Sequence, residues 1–476
     1  MISITIGGSI ESRDIFDRRI LILVLALIVG CIQTSIASER HEKPFDETNF
    51  KKVVLATNLT EPMNLSVAAD GRVYLIERLG VLKVWTPETG EIKSITSIRT
   101  FQGSENSLLG IVLDPGFLKN HWVYLFYSPV TPEENRVSRF SLVDDSLDPA
   151  SEKVLLHFHT DRKVANHAAG DLAFDARGNL YASTGDNTLI TENDSFAPID
   201  ERPGRQYWDA QRSSANTMDL RGKILRVHPE PDGTCTVPKG NLFPKDGSKG
   251  RPEIYIMGVR NPFRFTIDNK TGWLYWGDVG PDAQQAIPER GPAGLDEFNQ
   301  ARQAGNFGWP QFVGDNKAYR RYDFATKQSG ESFDAAHPLN HSPNNTGAQE
   351  LPPAQPAFIW YPYAPSSRFP DLASGARAAM SGPLYRYDAK LKSDRKLPQV
   401  YDGALFIFDW ERSWVKTVRF GAKGTLKSLE AFLPAMKLKR PICIKLGPDG
   451  ALYVIEWGTN WYHNKDAQLV RIEYQR

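Results

Sequence analysis

Cysteine is almost absent. The 476 residues hold three, at 31, 235 and 443, too few for a scaffold stapled by disulfides. No Cys-x-x-Cys-His occurs, which excludes covalently attached haem. An excess of one charge is missing too. With 57 basic and 56 acidic residues the net charge is +1, without the basic surplus that marks a nucleic-acid partner. Long amphipathic helical patterns are scarce. The apolar run behind Arg18 and Arg19, Ile20–Val29, is about half the length a bilayer span requires. It matches the core of an export signal instead. Two processing signatures follow it. Ser35-Ile36-Ala37 is a small-x-small site with cleavage before Ser38. Ile28-Val29-Gly30-Cys31 resembles a bacterial lipobox and would leave Cys31 lipid-modified, the one route to a membrane. We take residues 1–37 as a signal peptide and the mature protein as periplasmic or secreted. In an oxidising compartment Cys235 and Cys443 could pair, provided the fold brings them within disulfide geometry.

What is present is turn chemistry and aromatics: 37 Gly, 32 Pro, 11 Trp, 17 Tyr and 24 Phe. They are organised by a loose repeat, a turn with Asp or Gly followed by an apolar-aromatic strand. Its anchors are Tyr74, Tyr124, Tyr181, Tyr275, Phe406 and Tyr453, separated by 50, 57, 94, 131 and 47 residues. The short gaps match one four-stranded propeller blade. One such alternating sheet cannot bury both faces, whereas radial stacking can. The chain therefore reads as all-β, a six-bladed β-propeller forming a single domain over 38–476. The two long gaps predict insertions at about 188–220 and 311–381.

The chemistry gathers in Asn166–Asn187, NHAAGDLAFDARGNLYASTGDN. His167 and Asp186 flank a strand–turn–strand hairpin of a length that brings its ends together. A neutral imidazole braced by a carboxylate is a competent base near neutral pH. A buried histidine satisfied by a local hydrogen bond would leave the same pattern. Further segments are Glu105 before an apolar strand, Arg260-Asn261-Pro262, Gly280-Pro281 and Asp296-Glu297. Alone, each is equally a strand end, a turn or a solvated face. His157-x-His159 puts two imidazoles on one strand face without an evident third ligand, so ordinary strand placement is the better reading. Trp360, Tyr361 and Tyr363 either stack on a sugar or pack their loop.

Taken in order, LLGIVLDPGF, the NHAAG…STGDN block, GKILRV, GVRNPFRF, WGDVGPD, DEFNQARQAGNFGWP and GPDGALYV resemble the glucose/sorbosone dehydrogenase family over roughly residues 50–470. Those are soluble six-bladed quinoproteins using pyrroloquinoline quinone. The resemblance implies an exported dehydrogenase oxidising a sugar or related alcohol and passing electrons to an external acceptor. By resemblance, His167 is the base that removes the hydroxyl proton, Asp186 orients it, and Arg260 stabilises charge on the quinone. Glu105 and Asn261 fall near the cofactor. Gly280 and Pro281 match the pair whose carbonyls hold the cofactor's calcium, and Glu297 an acid of a second, structural calcium site.

The chain departs from the family pattern in two places. His167-Ala168-Ala169-Gly170 replaces His-x-Gly-Gly, and the Ala169 methyl is expected to crowd the cofactor. The cations for the quinone carboxylates are hard to align; Arg412 is the favoured candidate and Arg377 the weaker one. These departures keep two rivals open: a calcium-dependent, lactonase-like propeller hydrolase, and a non-catalytic propeller that binds carbohydrate or protein.

Overall fold

In the computed structural model, residues 46–144, 146–164, 166–192 and 194–475 are described; the leader with Cys31 lies outside them. Six antiparallel sheets follow one another along the chain. Blade I is built from Pro62–Val67, Val73–Glu77, Val81–Trp85 and Ile92–Ser97. Blade II is Leu108–Leu113, Trp122–Tyr127, Glu134–Val143 and Ser146–His159. Blade III is Ala169–Phe174, Leu180–Thr184, Lys223–Pro229 and Ile254–Met257. Blade IV is Arg264–Ile267, Leu274–Asp278, Asp296–Ala301 and Ile359–Tyr361. Blade V is Ala379–Leu384, Leu405–Asp409, Val415–Phe420 and Leu426–Ala431. Blade VI takes Pro441–Leu446, Leu452–Glu456 and Gln468–Tyr474, and its outer strand is the N-terminal Phe50–Ala56. That strand runs antiparallel to Gln468–Tyr474 and closes the ring. Lys52 Nζ reinforces the seam by pairing with the buried Glu456 at 2.6 Å.

The first strands of the six blades touch in ring order, and Pro441–Leu446 meets Pro62–Val67. All six aromatic anchors fall in second strands and are buried. Five of those second strands, Val73–Glu77 among them, are buried along their whole length. The alternation expected of them gives way because each blade is sandwiched between two neighbours. Burying an apolar side chain this fully is worth about 1.5–3 kcal/mol over leaving it exposed.

The first insertion leaves blade III after Thr184 and returns at Lys223. It is pinned by the Lys223 ammonium, wholly buried, which donates to the carbonyls of Ser213, Ser214 and Arg221 at 2.7, 3.1 and 2.8 Å. The second insertion differs from the expected 311–381. It occupies 302–358, because Ile359–Tyr361 returns to blade IV and Ala379 already begins blade V. A three-residue strand among prolines leaves no alternation to detect. The two insertions share an apolar cluster around Phe196, Ile199, Trp309 and Phe312. They are also tied by Asn340 Nδ2, which donates to the carbonyls of Gln211 and Ala215.

Cys235 and Cys443 do not pair; both are free thiols. Cys235 sits on a hairpin beside blade III and Cys443 in the first strand of blade VI, three positions apart in the ring. Their sulfurs face the Leu155 carbonyl and Asn64 Oδ1 instead.

Candidate active site

In an antiparallel blade the start of the first strand and the end of the second lie at the same edge. Repeating this around a ring collects twelve chain segments at one mouth. The motifs are distributed accordingly. Glu105, His167 and Arg260 precede the first strands of blades II, III and IV, and Asp186 and Gly280 follow the second strands of III and IV. A cavity of about 300 Å³ opens there, and His167, Arg260, Asn261 and Glu105 all line it.

His167 is buried in a left-handed backbone conformation, φ 55°. Its Nδ1 lies 2.7 Å from Asp186 Oδ1. Asp186 has no exposed surface. It also accepts from the Thr188 amide at 3.0 Å, Thr188 Oγ1 at 2.7 Å and Trp309 Nε1 at 2.8 Å. Burial on its own would raise this carboxyl, but the neighbouring His167, then Arg260 and Thr188, hold it below the usual carboxylate range. An ionised carboxylate only accepts, so Nδ1 carries the proton and Nε2 keeps the free lone pair. The close passage needs Gly185: a Cβ there would stand 1.9 Å from the His167 carbonyl oxygen.

Asn261 and Glu105 form the frame of this turn. Asn261 Oδ1 accepts from the Ala169 amide at 3.0 Å, and its Nδ2 donates to Glu105 Oε2 at 3.1 Å. Glu105 Oε2 also accepts from the Ala168 amide at 3.3 Å. The Ala169 methyl is buried and is not among the side chains lining the cavity. Its cost is the left-handed backbone, φ 53°, about 1–2 kcal/mol for a residue with a Cβ.

Arg260 joins the histidine pair to blade IV. Its carbonyl accepts from the Asp186 amide at 2.8 Å, and its Nη1 donates to the Val279 carbonyl at 2.9 Å. The amides of Arg260 and Asn261 donate to Asp278 at 3.0 and 2.7 Å. Asp278 pairs directly across the sheet with Glu297. Burial pushes Asp278 up to about 7. Burial and then the facing Asp278 push Glu297 up to about 8. Between its unfolded value and about 8, the folded state keeps the Glu297 proton and the unfolded state does not, so stability falls as pH rises. Glu297→Gln should therefore melt a few degrees higher than the parent at about pH 9 and identically at about pH 4, on the scale where one kcal/mol moves a domain by about 3 °C. Differential scanning calorimetry at the two pH values checks it.

Two of the residues that the family resemblance assigns to calcium, Glu297 and Pro281, have protein partners for their oxygens. Glu297 accepts from the Gly314 amide and from Asn299 Nδ2. The Pro281 carbonyl accepts from Arg377 Nη2 at 2.5 Å. Among the described residues no group of three or more His, Cys, Asp and Glu could hold a metal ion. His157 and His159 each face their own carboxylate, Glu134 at 3.3 Å and Asp161 at 3.1 Å, on the exposed outer strand of blade II.

Arg412 does not reach the cavity. Its guanidinium donates to the carbonyls of Pro362, Leu372, Ala373, Gly375 and Ala376, stapling the loop ahead of blade V. Arg377 lines the wall instead, with Arg78. Of Trp360, Tyr361 and Tyr363, only Tyr363 lines the cavity. Tyr361 is buried and donates to Asp409 at 2.7 Å, and Trp360 packs near Leu295 on another face. An aromatic shelf was not foreseen: Trp410, Trp457, Trp461 and Tyr462 from blades V and VI line the same cavity. Trp461 is 57% exposed at its rim. Adjacent aromatics in a turn, Trp461-Tyr462, were the signal available for it. Trp410 Nε1 is buried with no partner among the described residues.

A cavity lined by guanidinium groups and indoles fits a flat, anionic, aromatic molecule. A family model described as Glucose / Sorbosone dehydrogenase matches residues 59–348. The chain is 26% identical over 263 residues to aldose sugar dehydrogenase YliI of Escherichia coli, covering 54% of this chain and 61% of that protein. It is 25% identical over 385 residues to quinoprotein glucose dehydrogenase B of Acinetobacter calcoaceticus, covering 70% and 73%. The fold matches the PQQ-bound aldose sugar dehydrogenase of Streptomyces coelicolor with a TM-score of 0.56 at 19% identity, covering 89% of this chain and 98% of that one.

Proposed function

From the premise that the chain belongs to the glucose/sorbosone dehydrogenase family, we propose that it oxidises a sugar or related alcohol with pyrroloquinoline quinone at the propeller mouth. The observation that carries this is the meeting of the His167–Asp186 pair and Arg260 on one cavity. Arg260 would hold the quinone's acidic edge, and the shelf around Trp410 its flat face. When bound, the quinone supplies a two-electron acceptor for the hydride leaving the substrate carbon.

The protein's own contribution is proton chemistry and positioning. His167 Nε2 takes the hydroxyl proton as the hydride departs. Asp186 stabilises the imidazolium that results and keeps the ring from turning. Arg260 places a fixed positive charge where negative charge develops, without reorganisation at the moment of reaction. Tyr363 and the indoles narrow the mouth and displace water. The basic, then apolar leader supports export, and the lack of a Cys-x-x-Cys-His motif supports an external electron acceptor.

The test is purified protein titrated with pyrroloquinoline quinone in the presence of calcium and assayed with a dye acceptor across sugars and alcohols. Saturable quinone binding with sugar-dependent dye reduction supports the reading, and no binding at micromolar quinone ends it. Arg260→Ala should lower kcat/KM by about a hundredfold and weaken quinone binding as well, because one group serves both. Binding left unchanged would remove Arg260 from the cofactor.

A further inference from the structure

The Pro281 carbonyl, which the family resemblance assigns to calcium, is enclosed. Arg377 Nη2 meets it at 2.5 Å. The same guanidinium pairs through Nε with Asp296 Oδ1 at 3.2 Å, the two side chains being 1% and 0% exposed, and lies 4.1 Å from the Tyr363 ring. On the flank of the carbonyl sits Gly294, where a Cβ would stand 1.7 Å from Pro281 O and 2.8 Å from Arg377 Nη2. The Cα of Gly280 packs tightly on blade IV, since a Cβ there would lie 1.8 Å from the Leu295 carbonyl oxygen. Its amide donates to Asp296 Oδ1 at 2.9 Å. The other oxygen of Asp296 accepts from the Ala379 amide at 2.8 Å.

Calcium takes six to eight oxygens, whereas here the Pro281 carbonyl already accepts from Arg377 and both oxygens of Asp296 accept from backbone amides. A divalent ion would also have to settle beside a guanidinium whose countercharge, Asp296, is occupied. The guanidinium itself supplies what an ion would: a permanent positive charge with planar donors able to serve a backbone oxygen and a carboxylate together. Arg377 is also on the cavity wall.

We infer that Arg377 stands in for the cofactor's calcium, so that this chain binds its quinone without a divalent cation. The inference rests on the quinone reading above. It is tested on full-length protein stripped with chelator, its metal content checked by mass spectrometry. Pyrroloquinoline quinone is then titrated by calorimetry in excess chelator and, separately, in millimolar calcium. Dissociation constants within about tenfold of each other are the expected result. Tightening by calcium beyond that overturns the inference and leaves the quinone reading standing. No heat of binding in either arm overturns both. Arg377→Gln, folded by circular dichroism, should bind quinone at least about tenfold more weakly in chelator; affinity equal to the parent's would also overturn the role given to Arg377.

Discussion

His167→Ala is expected to lower turnover by about a thousandfold, the range of a lost general base, while quinone affinity stays within about twofold of the parent. The split follows from the geometry. Nδ1 is spent on Asp186 at 2.7 Å, so only Nε2 is left for chemistry. The groups assigned to the cofactor, Arg260 and Arg377, hang from other backbone segments. Stopped-flow reduction of the bound quinone, read beside a binding isotherm, separates the two quantities. Equal losses in both would make His167 a cofactor contact instead of a base.

Asp186→Asn should be comparably severe and should cost stability as well. Four donors converge on this carboxylate, and none is replaceable by water because the residue has no exposed surface. An amide offers one acceptor oxygen and turns an NH2 toward donors. Each buried donor left unmet costs about 1–3 kcal/mol. The imidazole, no longer held as the Nδ1–H tautomer, presents a protonated Nε2 with no free lone pair to the cavity. Neutralising the orienting aspartate of a protease triad costs about ten thousandfold by the same route, and about a thousandfold is expected here. Thr188→Val, which removes one of the four donors and keeps the charge, is the control. Kinetics with thermal melts on both variants check the pair. An Asn variant that melts and turns over like the parent would separate Asp186 from the histidine's function.

Much of this was legible in the chain because it is local or periodic. Six aromatic anchors marked six second strands, and the His167–Asp186 spacing was that of one hairpin. What escaped depends on closure in three dimensions. Arg412 sits at the mouth end of its strand, as its position suggested. Yet it is drawn off by five backbone carbonyls of the 362–376 loop, and carbonyls are invisible in a sequence. Arg377 was ranked below it for want of a local motif, although the fold brings it against Pro281 from another blade. The shelf of Trp410, Trp457 and Trp461 gathers from two blades. Ile359–Tyr361 is too short for its pattern to be recognised, so the second insertion was drawn too long.

The seam between Phe50–Ala56 and Gln468–Tyr474 sets a timetable for biogenesis. Domains emerging from a ribosome tend to fold from the N-terminus, but here an early segment waits for a partner made last. A nascent chain stalled before residue 468 would present blade VI with an unpaired edge along Leu452–Glu456. Such a chain is a natural client for a holding chaperone, and this favours a route in which translation finishes before the native state is reached.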